Sequence, residues 1–449
     1  MARAARRGVM APEFAAALLG FAALLGLIAL RAPIALAMLA VGAVGYAQIL
    51  DLQALLNYLK TTPYHLFANY TLSIIPLFIL MGALAERGGL ARDLFAAAQV
   101  VLGGRPGGLP LSVIGASAAF GAVCGSSVAT TATFGRAALP ELLRGGTRPG
   151  FATATIAAGG TLGILVPPSV ILVVYAITTE QNVAKLFMAA AIPALIAVLL
   201  YMAAIRLAVW RDPSLAPAAA PLPRGERARV LRHVLPVLLI ACTVVGGIYG
   251  GVFTPTESAA VGCVAVLAVG LLRRSLTWPD IRAALLATAE TTAMIFAILL
   301  GAEIFNAFLA LTQAPDLLAM WVTDQDFPPY GVLIVLLLTY LVLGAVMDEL
   351  AMILLTLPVF FPVMTALDFG MTSEEVAIWF GIMVLAVVGI GLTAPPIGLN
   401  VFVISSIARE VPIIATYRGV LPFIAADLLR LVLLAAFPVL SLWLVEVLT

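Results

Sequence analysis

The hydrophobic positions of this chain fall in long runs that are separated by short polar or proline-rich stretches. An apolar run of roughly 17–25 residues can cross the hydrocarbon core of a bilayer as a helix. We therefore predict membrane-spanning helices at residues 14–30, 33–50, 66–85, 151–178, 186–209, 233–253, 255–272, 284–311, 376–406 and 420–447. Between the second and third runs, residues 51–65 mix leucines with Asp51, Lys60 and His65, which predicts a helix lying at the membrane interface.

Two further apolar stretches do not fit a single crossing. Residues 109–143 and 329–366 each contain two apolar pieces that are shorter than a full span. The pieces are joined at a polar point, Gly125-Ser126-Ser127 in the first stretch and Asp348-Glu349 in the second. This pattern is typical of hairpins that enter a membrane and return, so we predict two re-entrant hairpins that do not cross.

One polar, proline-rich linker divides the chain, at residues 211–232. Its arginines place it in the cytoplasm, because cytoplasmic loops of membrane proteins are enriched in Arg and Lys. Counting spans outward from the linker puts most other arginine-rich loops on the same side. Arg3, Arg6 and Arg7 are the exception, since this topology leaves them outside.

The two halves of the chain resemble each other. GAVCGSS at 121–127 is echoed by GAVMDEL at 344–350, and GILVPPS at 163–169 is echoed by GLTAPPI at 391–397. The matched order predicts two repeats, 1–210 and 233–449, each with about five spans, a hairpin and a broken helix. Because an odd number of spans separates the hairpins, these must open to opposite faces of the membrane. Such inverted repeats are the plan of many secondary transporters.

A pair of prolines interrupts one predicted span in each repeat. Proline has no N–H and its ring clashes with the carbonyl four residues earlier, so it removes helical hydrogen bonds. The carbonyls expected to lose their donors are those of Gly163 and Ile164, before Pro167 and Pro168, and those of Gly391 and Leu392, before Pro395 and Pro396. Free carbonyls in hydrocarbon are costly unless bound, and unwound backbone is where such transporters hold sodium. Further oxygens are available from Ser126, Ser127, Thr130, Thr131, Thr161, Asp348, Thr393 and Asn400.

Composition excludes several classes of protein. Of 449 residues, 63% are hydrophobic and 10% are charged, which excludes a water-soluble core. The net charge of +1 provides no basic field for nucleic acid. The three cysteines and two histidines are scattered, so we expect no disulfide framework, transition-metal centre or Ser-His site, and hence no enzyme.

Five segments then identify a family resemblance. They are GAVCGSSVATTATFG (121–135), TLGILVPPSVILVVYA (161–176), GVFTPTESAAVG (251–262), GLTAPPIGLNVFV (391–403) and RGVLPFIAADLLRL (418–431). They resemble the large membrane subunit of tripartite ATP-independent periplasmic (TRAP) transporters, in the ion transporter superfamily. The resemblance implies a sodium-driven, elevator-type importer of a small organic acid in the bacterial inner membrane. It also implies a small four-helix membrane subunit and a periplasmic binding protein as partners, with Na⁺ as coupling ion and no other cofactor.

The same resemblance implies the site residues. The sodium ligands it implies are Ser126, Ser127, Gly163 and Pro167 in the first repeat and Asp348, Gly391, Thr393 and Pro395 in the second. Substrate-binding candidates are Thr130, Thr161, Asn400 and Arg136, although for Arg136 we favour a side chain that reaches the cytoplasmic interface. Glu303 has two open interpretations, an ion or proton site and a hydrogen-bonded acid. The alternative function is a stand-alone ion-coupled anion transporter of the same superfamily.

Overall fold

The structure, a computed structural model, describes residues 12–218 and 224–449, and in these two ranges every regular element is helical. The first range contains α1 (Pro12–Ala29), α2 (Ile34–Ile49), α3 (Leu52–Phe67), a 3₁₀ turn (Tyr70–Ser73), α4 (Ile74–Arg87), α5 (Leu90–Leu102), α6 (Gly108–Cys124), α7 (Ser127–Ala137), α8 (Leu139–Arg144), α9 (Pro149–Leu165), α10 (Val170–Thr178) and α11 (Val183–Arg211). The second contains α12 (Arg224–Tyr249), α13 (Pro255–Leu272), α14 (Trp278–Thr312), α15 (Ala314–Asp324), α16 (Pro329–Gly344), α17 (Glu349–Ala366), α18 (Ser373–Gly391), α19 (Leu399–Ile407), α20 (Ile413–Ala436) and α21 (Val439–Leu448).

A helix lies at each of the ten predicted spans, so the all-α membrane architecture is confirmed. Within the described ranges, eight helices are long and apolar enough to cross a membrane, and α9 with α10 forms a further candidate, a pair bent by 42°. The prediction that both apolar pieces of the second hairpin are shorter than a full span was wrong. Its second helix, α17, has 18 residues and is one of the eight helices long enough to cross a membrane. Pro358 and Pro362 lie inside α17 without ending it.

Three other differences from the predicted elements have local causes. The predicted last span, 420–447, consists of two helices. Helix α20 already begins at Ile413, and the chain breaks at Phe437 because Pro438 cannot continue the helical hydrogen bonds. Helix α5 was missed because Arg92 and Asp93 interrupt its hydrophobic run, although its other face is buried. The second part of the predicted linker, residues 224–232, is the beginning of α12.

Ion pairs join the segments that the arginine pattern assigns to one side of the membrane. Arg273 at the end of α13 donates to Asp93 of α5 at 2.8 Å, and Arg148 donates to Asp212 at 3.1 Å. The Ser214 hydroxyl and the Arg148 guanidinium lower the pKa of the Asp212 carboxyl. The start of the linker is therefore held against the base of the first broken helix.

Helices α2 and α14 cross at very short range. A Cβ atom on Gly42 would lie 2.7 Å from the backbone of Phe305, and one on Gly301 would lie 2.4 Å from the Ala35 carbonyl oxygen. Small residues at helix crossings let membrane helices pack closely. Nearby, the Tyr58 hydroxyl of α3 donates to the half-buried Glu303 of α14 at 3.2 Å. Burial, with the Glu303 carboxylate beside it, raises the pKa of Tyr58 to about 12.

The broken helices form the centre of the molecule. Residues 150–165 of α9 are all buried, and so are residues 376–391 of α18. The hairpin formed by α6 and α7 packs on α9, and the hairpin formed by α16 and α17 packs on α18. Each broken helix therefore has one hairpin of its own half against it.

Candidate ion and substrate site

The tip of the first hairpin lies against the break between α9 and α10. Gly125 ends α6 with a φ of 64°, in the left-handed region that favours glycine, and the Ser126 hydroxyl caps α7. A Cβ atom on Gly125 would lie 3.0 Å from the Pro168 carbonyl oxygen. The tip is therefore in direct contact with the unwound segment.

Gly163 lies very close to the hairpin tip at this first junction. A Cβ atom on Gly163 would lie 2.4 Å from the Thr130 hydroxyl oxygen and 2.5 Å from the Ser126 carbonyl oxygen. The Thr130 hydroxyl in turn donates to the Ser126 carbonyl at 2.7 Å. Backbone and side-chain oxygens of the tip thus converge on the last turn of α9, whose Gly163 carbonyl has a proline in place of its helical donor.

The second junction has the same construction. A Cβ atom on Gly391 would lie 2.7 Å from the carbonyl carbon of Gly344 and 2.8 Å from its oxygen. Asp348 caps α17, accepting from the backbone N–H groups of Leu350 at 3.1 Å and Ala351 at 3.3 Å. Thr393 is buried just beyond the end of α18, and its hydroxyl donates to the Ile390 carbonyl at 3.1 Å.

Matched glycines bring hairpin and break together in both halves. A Cβ atom on Gly121 would lie 3.2 Å from the Cα of Gly163, and one on Gly344 would lie 3.6 Å from the Cα of Gly391. Gly121 and Gly344 occupy the same position in the hairpin motif, as Gly163 and Gly391 do in the proline motif. The Pro167–Pro168 and Pro395–Pro396 peptide bonds are both cis.

One carbonyl expected to be free has a partner. The Leu392 carbonyl accepts the backbone N–H of Asn400 at 3.0 Å, so the prediction of a free oxygen there was wrong. The physical reason is that Gly398, with a φ of 55°, turns the chain back after the prolines and returns the start of α19 to the end of α18. This turn could not be read from the proline pair alone.

The two hairpin tips meet. The Ser127 hydroxyl at the start of α7 donates to the Glu349 carboxylate at the start of α17, with 3.3 Å between the oxygens. Glu349 was not among the predicted site residues. The sequence signal for it was the pair of carboxylates at the second tip, of which only Asp348 was assigned a role.

Two of the predicted polar residues lie between the junctions with oxygens that have no hydrogen-bond partner in the described chain. They are Thr131, through its hydroxyl, and Asn400, through Oδ1. Both side chains are fully buried, and both face Gly160 of α9. The Asn400 amide nitrogen donates to the Ala157 carbonyl at 3.2 Å. A buried acceptor without a partner is costly, so these oxygens are suited to a polar ligand.

Thr161 and Arg136 lie away from the tips. The Thr161 hydroxyl is 2.7 Å from the Ala158 carbonyl oxygen and 2.9 Å from the Tyr201 hydroxyl. Arg136 lies at the exposed end of α7, where it forms an ion pair with Glu86. That pair borders a polar cavity of about 520 Å³ whose other charged residues are Arg87, Arg92 and Asp280.

Comparisons with known proteins place this arrangement in a family. Residues 21–440 match the family model described as "Tripartite ATP-independent periplasmic transporter, DctM component". The chain is 37% identical, over 83% of its length and 86% of the relative, to the C4-dicarboxylate TRAP transporter large permease protein DctM of Pseudomonas aeruginosa. It is 31% identical, over 84% of its length and 87% of the relative, to the sialic acid TRAP transporter large permease protein SiaM of Vibrio cholerae.

A solved structure supports the fold. The Alcanivorax borkumensis YdaH transporter matches with a TM-score of 0.61 and 19% identity, covering 90% of this chain and 96% of that one. The shared helices, the extent of the family match and the identity to the large permeases lead to one assignment. This chain belongs to the family of TRAP transporter large permeases and is a multi-pass membrane transport protein, not an enzyme.

Proposed function

We propose that this chain is the translocating subunit of a sodium-driven TRAP importer in a bacterial inner membrane. The observation that carries the proposal is the pair of tip–break junctions, at Gly163 and Gly391, where glycine alone lets backbone oxygens of a hairpin and a broken helix come together. Sodium is a small hard cation that prefers carbonyl, hydroxyl and carboxylate oxygens. At the first junction these oxygens belong to buried or half-buried residues, and at the second junction Gly391 and Thr393 are buried while Pro395 is exposed.

The proposed sodium ligands follow the two junctions. They are Ser126, Ser127, Gly163 and Pro167 at the first, and Asp348, Gly391, Thr393 and Pro395 at the second. Thr130 lies at the first junction and Asn400 lies beside Gly160 of α9, and both would contact substrate, as would Thr161, which precedes Gly163 by two residues. Arg136 lies beside the polar cavity, where its guanidinium would contact the carboxylate of the substrate as the substrate leaves the site.

The two halves are proposed to be inverted repeats that move as an elevator. The matched glycine contacts support a common origin for the two junctions. The two hairpins pack on the broken helices, and the tight α2–α14 pair would be the static scaffold against which these elements move. The linker at 211–232 would then lie in the cytoplasm.

The names of two relatives support the proposed substrate class, a small organic acid. The names of two relatives specify C4-dicarboxylate and sialic acid, and both are organic acids. We extend only this common chemistry to the present chain. The proposed partners are a small four-helix membrane subunit and a periplasmic binding protein that delivers the acid.

Uptake into liposomes tests the proposal. We expect substrate to accumulate only when the large subunit, the small subunit and a liganded binding protein are all present and an inward sodium gradient is applied. The matched control omits one component at a time and replaces sodium with potassium. Uptake of free substrate by the large subunit alone would instead support the stand-alone transporter, and uptake without sodium would refute the sodium coupling.

A further inference from the structure

Helix α20 carries a buried acid and a buried base that the proposed ion sites do not use. Asp427 is 1% exposed and Arg430 is 2% exposed, three residues apart on the same helix. Ionisable side chains inside a membrane protein are expensive and usually serve a function. This pair lies in the segment RGVLPFIAADLLRL, which contains none of the proposed sodium ligands.

The pair connects four helices. The Arg430 guanidinium lies 3.0 Å from the Asp427 carboxylate and donates to the Ala386 carbonyl of α18 at 3.3 Å. The Tyr201 hydroxyl of α11 donates to the other Asp427 oxygen at 2.6 Å. Thr161 of α9 lies 2.9 Å from the same Tyr201 hydroxyl. A continuous polar path therefore runs from α18 through α20 and α11 to α9.

This path crosses the molecule where the two broken helices approach each other. Thr161 precedes Gly163 by two residues, and Gly389 precedes Gly391 by two residues, so the two occupy matched positions in the repeats. A Cβ atom on Gly389 would lie 3.7 Å from an Arg430 guanidinium nitrogen and 3.9 Å from the Thr161 Cβ. The α9 end of the path, Thr161, therefore lies two residues before Gly163, and the α18 end, the Ala386 carbonyl, lies five residues before Gly391.

Stability alone is a poor explanation for the pair. Within the described chain, the Nε and Nη1 atoms of Arg430 have no hydrogen-bond partner, so the desolvation of the guanidinium is only partly compensated. Buried ion pairs can often be replaced by uncharged groups of similar volume without loss of stability. What the pair does supply is a defined geometry, because its hydrogen bonds join α20 directly to α18 and α11, and through Tyr201 of α11 to α9.

We infer that Asp427 and Arg430, together with Tyr201, are positioning residues that couple the two tip–break junctions. A cation bound at one junction fixes the position of the end of its broken helix. The hydrogen bonds of the polar path then restrict the position of the other broken helix. The inference rests on the proposed function only in treating the junctions as cation sites.

The test compares two variants with one control in the complete three-component transporter. Asp427→Asn combined with Arg430→Gln keeps the volume and removes both charges, while Tyr201→Phe removes only the hydroxyl that links Asp427 to Thr161. The control is Trp379→Phe, which removes a neutral buried bond between the same helices α18 and α20, from the Trp379 indole to the Leu434 carbonyl at 2.9 Å.

The readouts are the half-saturating concentration of the coupling cation, the Hill coefficient and the unfolding temperature. We expect both network variants to raise the half-saturating concentration at least about fivefold and to lower the Hill coefficient, with the unfolding temperature close to that of the parent. The control should lower the unfolding temperature and leave the cation titration unchanged. If the double variant does not fold, Tyr201→Phe decides.

Cation titrations that superimpose for the parent and both network variants would overturn the inference, and so would a shift equal to that of the control. The parent is titrated first with sodium and with a pH gradient. Failure of sodium coupling would appear in the parent itself, and the network variants would then be compared on the proton titration. Failure of the inference would appear only as identical behaviour of parent and network variants.

Discussion

Alanine at Gly163 or at Gly391 is expected to abolish uptake. The added methyl group would lie 2.5 Å from the Ser126 carbonyl oxygen in the first case and 2.7 Å from the Gly344 carbonyl carbon in the second. These are backbone atoms, which cannot rotate away, so the hairpin tip must separate from the broken helix. Overpacking of this kind typically costs about 1–3 kcal/mol, and it displaces the oxygens proposed to bind the cation.

Gly115 provides the matched control for these two variants. It lies in α6 of the first hairpin, and the nearest atom to a Cβ there is the terminal methyl of Met202 at 3.6 Å, an ordinary contact. Initial uptake rates in liposomes, measured together with unfolding temperature, should show Gly115→Ala close to the parent. Parent-like uptake by Gly163→Ala or Gly391→Ala would show that close approach at that junction is not required.

Asp348→Asn is expected to raise the sodium concentration needed for half-maximal uptake by roughly tenfold, which corresponds to about 1.4 kcal/mol of binding free energy. In the structure the Asp348 side chain caps α17 through the N–H groups of Leu350 and Ala351. Asparagine is about as good a helix cap as aspartate, so the fold should be retained while a negative charge is lost. Sodium titrations of uptake, with the unfolding temperature as the control, separate these two effects.

Ser127→Ala tests the contact between the tips in the same assay. Loss of the hydroxyl removes a candidate sodium ligand and the hydrogen bond to Glu349, with a net cost to folding of roughly 1 kcal/mol. The half-saturating sodium concentration should again rise. An unchanged sodium requirement in both Asp348→Asn and Ser127→Ala would remove these side chains from the proposed sites.

Sequence patterns predicted the parts of this molecule that depend on local chemistry. The lengths of the apolar runs located the spans, and the proline pairs located both breaks, because proline removes a helical donor wherever it occurs. The repeated motif predicted that Gly163 and Gly391 have matching roles. Both lie so close to the backbone of a hairpin that a larger side chain does not fit. The polar points at residues 125–127 and 348–349 are the hairpin tips.

The remaining features depend on long-range contacts that no local pattern contains. The pairing of the Leu392 carbonyl with Asn400 requires the turn at Gly398, and the contact between Ser127 and Glu349 requires the two hairpins to meet. Asp427 and Arg430 could have been recognised from sequence by the rule applied to Glu303, since they too are ionisable groups inside a predicted span. Their partners Tyr201 and Ala386 are visible only in the fold.

The central claim is that the two tip–break junctions hold the coupling cation, and radioactive sodium binding tests it most directly. The purified complex of the large and small subunits is equilibrated with labelled sodium, and bound sodium is counted for the parent, Gly163→Ala, Gly391→Ala and Gly115→Ala. The account predicts saturable binding in the parent and in Gly115→Ala, and loss of part of the bound sodium in each junction variant. Equal sodium binding in all four proteins, or no saturable binding in the parent, would contradict it.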